Sequence, residues 1–171
     1  MIDRTVFLIG MPGSGKSSLG KRLAGRLQMR YVDTDQRICD AAGCSVTDIF
    51  ARYGEQAFRN AETNVLTQIA YEPPAIVSTG GGMVMREVNQ RIMRNHGVIV
   101  LIDRPLEDIM SDIKLDRRPL LAQKGLGEVE RLYHERIGVY RALADATLDN
   151  SQGYYNGMYN LERLVRSLLP W

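Results

Sequence analysis

Gly10-Met11-Pro12-Gly13-Ser14-Gly15-Lys16-Ser17 fits the pattern G-x-x-x-x-G-K-[ST]. The apolar stretch Thr5-Val6-Phe7-Leu8-Ile9 runs directly into it, and a helical pattern leads directly out. The physics of the motif requires that context. Glycines let the backbone curl so that successive N–H groups face phosphate oxygens. The following helix adds the positive end of its dipole. Lys16 can then reach the β- and γ-phosphates, and the Ser17 hydroxyl can bind Mg²⁺. The expected nucleotide-binding set is Gly13, Ser14, Gly15, Lys16, Ser17 and Ser18, with Lys16 also catalytic and Ser17 also a metal ligand. The competing explanation is a glycine-rich strand–helix turn carrying a surface lysine.

Outward from this loop, strands and helices alternate. Thr5–Gly10 reads as a buried strand, because the apolar run is continuous. Leu19, Leu23 and Leu27 recur every four residues, which predicts a helix over Lys16–Leu27. Tyr31-Val32 is a short strand ending in Asp33-Thr34-Asp35, and the helix after it stops at Gly43. Ser45-Val46-Thr47-Asp48 is a capping box. The helix it opens breaks near Gly54, resumes through Phe58, Val65, Leu66 and Ile69, and ends at Pro73-Pro74. Ala75–Ser78 is a third strand, followed by Gly80-Gly81-Gly82. Val84, Val88 and Ile92 predict a helix closing near Gly97. Val98–Ile102 is a fourth strand, and Pro105 with Glu107 and Asp108 starts another helix. Residues 112–125 are charged without clear periodicity and read as a mobile loop. Leu126–Leu143 is a helix, Ala146–Leu148 a last strand, and Met158–Leu169 a last helix. Gly153–Asn160, rich in Gly, Asn and Tyr, reads as a loop. This alternation predicts an α/β fold: parallel strands, right-handed crossovers, helices on both faces. Ligands then bind beyond the carboxyl ends of the strands, where Gly10–Ser17, Asp33–Asp35, Gly80–Gly82 and Asp103 all fall.

The length of 171 residues suits one domain, 1–171, with a real core. With 44% hydrophobic and 25% charged residues, the composition is that of an ordinary soluble globular protein. A net charge of +2 is too small to argue for nucleic acid or an anionic membrane as partner. No apolar stretch reaches transmembrane length and no signal-peptide pattern opens the chain, so a cytoplasmic location is expected; a monomer is expected as well. Cys39 and Cys44 fit no zinc or redox spacing.

The phosphate loop leaves open a kinase, an ATPase or a nucleotide switch. The second substrate decides among them. Asp33 and Asp35 flank Thr34 at a strand end; alternate residues there point the same way, so both carboxylates are expected to face the pocket. One can hold Mg²⁺ and the other accept a proton from a substrate hydroxyl. A helix cap is the plainer use of a single aspartate. Arg59, taken alone, reads as a solvated helix residue pairing with Glu62. Three consecutive glycines allow a ligand and the backbone to approach closely. Arg117-Arg118-Pro119-Leu120-Leu121 places arginines in the presumed mobile loop, where one can stabilise a transferring phosphoryl group.

Taken jointly, these elements resemble the shikimate kinase family. That family combines this loop with D-T-D after the second strand, F-R-x-x-E in a helix, G-G-G after the third strand, R-P-L-L in a lid and R-x-x-x-Y in a late helix. The chain carries Asp33-Thr34-Asp35, Phe58-Arg59-Asn60-Ala61-Glu62, Gly80-Gly81-Gly82, Arg118-Pro119-Leu120-Leu121 and Arg136-Ile137-Gly138-Val139-Tyr140, in that order. The resemblance implies a three-layer α/β/α P-loop kinase fold with a five-stranded parallel sheet in order 2-3-1-4-5. It implies a helical substrate segment near 33–62 and a lid near 112–125. It implies ATP-dependent phosphorylation of the 3-hydroxyl of shikimate, in aromatic amino-acid biosynthesis, with Mg²⁺. By match, Asp35 binds the reacting hydroxyl region, and Asp33 supports Mg²⁺ in place of the usual carboxylate missing from the strand that ends at Ser78. Arg59 and Arg136 hold the substrate carboxylate, Gly80, Gly81 and Gly82 lie against its ring, and Phe50 and Phe58 pack nearby. Lys16 and Arg118 neutralise the phosphates.

One departure stands out. Many members carry an adenine-stacking arginine at the start of the lid, where this chain has Met110-Ser111-Asp112-Ile113-Lys114. A lysine lacks the planar stack. A gluconate-type kinase would share the loop but need not share both Arg59 and Arg136. A nucleotide switch predicts an N-K-x-D segment, which the chain lacks; Asp40-Ala41-Ala42-Gly43 has the D-x-x-G spacing but sits at a helix end.

Overall fold

The computed structural model describes residues 4–112 and 125–169. Five strands form one sheet: β1 (Thr5–Ile9), β2 (Arg30–Asp33), β3 (Ala75–Ser78), β4 (Gly97–Asp103) and β5 (Ala146–Asp149). Their order is β2-β3-β1-β4-β5, and every pairing is parallel. β1, β3 and nearly all of β4 are buried along their whole length, as continuous apolar runs between two helical layers should be.

Alternation along the strands divides the core in two. Phe7, Ile9, Val77, Ile99 and Leu101 join one buried cluster; Val6, Leu8, Ile76, Val98 and Val100 join the other. The first cluster is covered by α2 (Thr34–Ala42), α3 (Val46–Ala70), α4 (Glu87–His96), α5 (Leu106–Asp112) and α6 (Leu126–Leu143). The second is covered by α1 (Lys16–Leu27) and α7 (Tyr154–Leu168). Leu66 of α3 is fully buried. Cutting such a leucine to alanine costs about 2–5 kcal/mol, the spread reflecting how far the site can collapse.

α3 opens on the expected capping box: the Ser45 Oγ accepts from the Asp48 N–H at 3.1 Å, and the Asp48 carboxylate accepts from the Ser45 N–H. It bends at Gly54, whose φ of 81° and ψ of 171° interrupt the helix. Among the described residues, no helix is long and apolar enough to cross a membrane.

Two sequence expectations are corrected. Val84, Val88 and Ile92 do not share one helix. Met83–Met85 is a 3₁₀ turn, Arg86 is extended, and α4 starts afresh at Glu87. That extended residue shifts the phase, so the buried positions of α4 are Asn89 and Met93 while Val88 is exposed. Gly153–Asn160 is not a loop, because α7 begins at Tyr154. Its first turns bury Gly157 and Met158 and expose Tyr155 and Tyr159, which hides the apolar period.

Candidate active site

Beyond the carboxyl ends of β1, β2 and β3 lies a cleft of about 670 Å³, lined by Gly13, Lys16, Ser17, Asp33, Asp35, Ser78, Gly81, Arg104, Ile109 and Asp112 among others.

The phosphate loop has the curl its sequence predicts. Gly13 and Gly15 take φ of 84° and 102°, and α1 begins with no side-chain cap on its first N–H groups. Those open donors and the helix dipole favour an anion. Lys16 is buried, its ammonium donating to the carbonyls of Gly10 (2.9 Å) and Met11 (2.8 Å). Ser18 Oγ donates to the Gly15 carbonyl at 3.1 Å. Ser14 is buried, and its Oγ has no hydrogen-bond partner among the described residues.

Ser17 Oγ donates to Asp33 Oδ2 at 2.9 Å and lies 3.2 Å from Ser78 Oγ. Tyr31 adds a donor to the same Asp33 oxygen at 3.3 Å. The other Asp33 oxygen accepts from the N–H groups of Asp35 and Gln36, so Asp33 caps α2 as well. Capping and the site are thus served by one carboxylate. Asp35 belongs to the first turn of α2 rather than to a strand end, so strand alternation is not what aims it. Asp33 closes the strand and Asp35 opens the helix, and both line the cleft. The donors Ser17, Asp33 and Ser78 are all hard oxygens, the chemistry Mg²⁺ accepts. Among the described residues, no group of three or more His, Cys, Asp or Glu is placed to hold a metal ion.

The opposite wall is built from side chains. Gly80, Gly81 and Gly82 have no positive φ; what they lack is room. A Cβ on Gly80 would lie 2.5 Å from Asp35 Oδ1 and 2.9 Å from Glu62 Oε1. On Gly81 it would lie 3.3 Å from Arg136 Nη1, and on Gly82 2.5 Å from Arg59 Nη1. Gly80 therefore makes space for Asp35 and Glu62 and Gly82 for Arg59, while Gly81 sits between Pro12 and Arg136. The Gly80 N–H donates to Thr34 Oγ1 at 2.9 Å, the Gly81 carbonyl accepts from the Tyr140 hydroxyl at 2.6 Å, and buried Asn89 ties the following Met83 carbonyl at 2.9 Å. Burial pushes the Tyr140 hydroxyl up to about 12, so it stays a donor at any working pH.

Arg59 donates Nη1 to Glu62 at 2.8 Å and Nη2 to Glu55 at 3.1 Å. Its side chain is only 20% exposed, and Phe58, against which Phe50 packs at 4.9 Å, lies beneath it. The solvated helix face read from sequence is therefore wrong for this pair. Glu62 is fully buried, and burial pushes its carboxyl above the usual range against the pull of Arg59. Glu62 is the residue sequence reasoning undervalued, although F-R-x-x-E contains it. Arg136 is 8% exposed, and its Nε has no hydrogen-bond partner among the described residues. Arg117 and Arg118 lie outside the described residues, as does most of the expected lid.

A parallel sheet in this order, with a phosphate loop between its first strand and first helix, defines a P-loop kinase fold. The family model for shikimate kinase matches residues 12–161, and the chain belongs to the shikimate kinase family. A shikimate kinase of Microcystis aeruginosa is 43% identical over 138 residues, spanning 80% of this chain and 72% of that protein. One from Clostridium beijerinckii is 34% identical over 96% of both chains. The solved shikimate kinase from Acinetobacter baumannii in complex with shikimate superposes with a TM-score of 0.89 at 27% identity, covering 96% of this chain and 92% of that one.

Proposed function

We propose that this chain transfers the γ-phosphoryl group of ATP to the 3-hydroxyl of shikimate. One observation carries the substrate assignment: two arginines, Arg59 and Arg136, converge behind the glycine triplet whose first member abuts Asp35. Guanidinium forks suit a carboxylate, and a nearby aspartate suits a ring hydroxyl. The orphan Nε of Arg136 is a donor waiting for an acceptor. Glu62 fixes Arg59 in place, and Gly80 and Gly82 let Asp35 and Arg59 sit close against the backbone.

Asp35 accepts the proton of the attacking hydroxyl as the oxygen closes on the γ-phosphorus. Lys16 leaves the Gly10 and Met11 carbonyls for the phosphates and balances their charge. Ser17 and Asp33 would hold Mg²⁺, with Ser78 beside them; when bound, the ion neutralises phosphate charge. The N–H groups of Gly13 to Ser18 hold the polyphosphate and keep it in line with Asp35.

The test is ADP release by purified protein with shikimate, with gluconate and with no acceptor. Turnover with shikimate alone is expected. Release with gluconate but not with shikimate would overturn the assignment.

A further inference from the structure

Two residues far from the phosphate-loop motif grip it by its carbonyls. Asn150, just past β5, donates from Nδ2 to the Ser14 carbonyl at 2.8 Å. Arg104, just past β4, donates from Nη1 to the Gly13 carbonyl at 3.1 Å. The grips are linked, since the Asn150 backbone N–H donates to the Asp103 carbonyl at 2.8 Å, one residue before Arg104. The second arm of Arg104 is steadied by Asp112.

A planar trans peptide points its N–H opposite its C=O. Holding the Ser14 carbonyl outward therefore aims the Gly15 N–H the other way, into the concavity where a phosphate sits. The Gly13 carbonyl belongs to the peptide whose N–H, on Ser14, closes a turn onto the Met11 carbonyl at 3.1 Å. Arg104, which lines the cleft, thus fixes that turn through its carbonyl. Gly15 leaves the space Asn150 needs: a Cβ there would lie 2.9 Å from Asn150 Nδ2. Lys16 also holds loop carbonyls, those of Gly10 and Met11, but must release them to reach a phosphate. Asn150 grips the loop from outside the cleft lining and Arg104 from within it, and neither has to leave its carbonyl for a phosphate to bind.

We propose that Asn150 and Arg104 are positioning residues for the nucleotide: a clamp that pre-shapes the phosphate loop for the polyphosphate. The proposal rests on the ATP-site reading above. A loop shaped in advance spends less of the binding energy on ordering itself.

The experiment compares Asn150→Ala, Arg104→Ala and Arg104→Lys with wild type by titration calorimetry. The ligands are MgADP, magnesium tripolyphosphate as a probe without base or ribose, and shikimate without nucleotide. Each alanine variant is expected to weaken MgADP and tripolyphosphate by the same factor, about five- to tenfold, the worth of one hydrogen bond. Shikimate affinity stays within about twofold, because its contacts are untouched. Arg104→Lys, which keeps a donor, recovers most of the loss. Should one alanine variant fail to fold, the other decides. Unchanged MgADP binding in a folded alanine variant overturns the clamp. So does a loss confined to MgADP, which would make the residue a nucleoside contact, and so does an equal loss for shikimate, which would make the role general to the fold. A wild type that binds no MgADP sinks the nucleotide-site reading itself, a separate result from a wild type and variants that bind equally.

Discussion

The two walls of the cleft are made of different material. The phosphate wall is one contiguous stretch of backbone, Gly10 to Ser18, with no side-chain cap on α1. The wall proposed to take the second substrate is a set of side chains from α2, α3 and α6, among them the fully buried Glu62, for which Gly80 leaves space. Backbone amides recognise a phosphate whatever it is attached to. Side-chain forks at fixed spacing recognise one arrangement of carboxylate and hydroxyl. Generality therefore sits on one wall and selectivity on the other, with Asp35 at the seam.

Substitutions can break that division. The largest effect is expected at the seam itself. Asp35→Asn should lower kcat by roughly 10²–10⁴, the range for a lost proton acceptor, with the KM for ATP little changed. Steady-state kinetics with both substrates varied decides it, and a near-normal kcat would leave Asp35 a binding residue only. Next comes Arg59→Ala, which strips a partner from a buried acid and from the substrate carboxylate. A loss of about 2–5 kcal/mol in shikimate binding is expected, with ATP affinity kept. Esterifying the substrate carboxylate should then hurt wild type far more than the variant. If the two penalties are equal, Arg59 does not read that group.

Gly82→Ala sharpens the comparison by adding one methyl group without removing any charge. The new Cβ would meet Arg59 Nη1 at 2.5 Å, so the guanidinium must move. Misplacing a binding group by about an ångström can cost roughly 10²-fold, and a loss of up to that size in kcat/KM for shikimate is expected, with KM for ATP as the control. The smallest effect lies outside both walls. Glu72 pairs with Arg37 and Arg30, and those hydrogen bonds hold its carboxyl down to about 2. A depressed carboxylate stabilises the fold above the ordinary range near 4.5 and loses that contribution as pH falls toward about 2. Glu72→Gln should thus lower the Tm at pH 6 and match wild type near pH 2. Melting curves across that window check the sign, and a gap that widens on acidification would refute it.

The same division explains what could be read from sequence. The phosphate wall was legible because its chemistry is contiguous: strand, loop and helix follow one another in a single stretch. Asp33 and Asp35 both line the cleft, but strand alternation is not what brings them there, since a strand end and a helix start lie within three residues. Glu62 and Arg59 looked like a surface i,i+3 pair, because burial by the glycine triplet and Tyr140 comes from elements far along the chain. Asn150 and Arg104 gave no signal, being separated from their carbonyl partners by 136 and 91 residues. The first turns of α7 were missed for the opposite reason: locally they look like a loop, and only packing against β5 and α1 makes them a helix.

The glycine triplet carries a consequence for how this enzyme can change by descent. Because Gly80 and Gly82 are closely fitted to their charged neighbours, substitutions on the two sides are expected to be epistatic. Alanine at 82 should be harmful beside Arg59 and far milder beside a shorter side chain, yet that shorter side chain alone forfeits the carboxylate fork. Each single step then goes downhill, and the pair must move together. The three glycines are in this sense a ratchet: once the charged groups have grown to fill the space, the backbone beneath them can no longer drift independently.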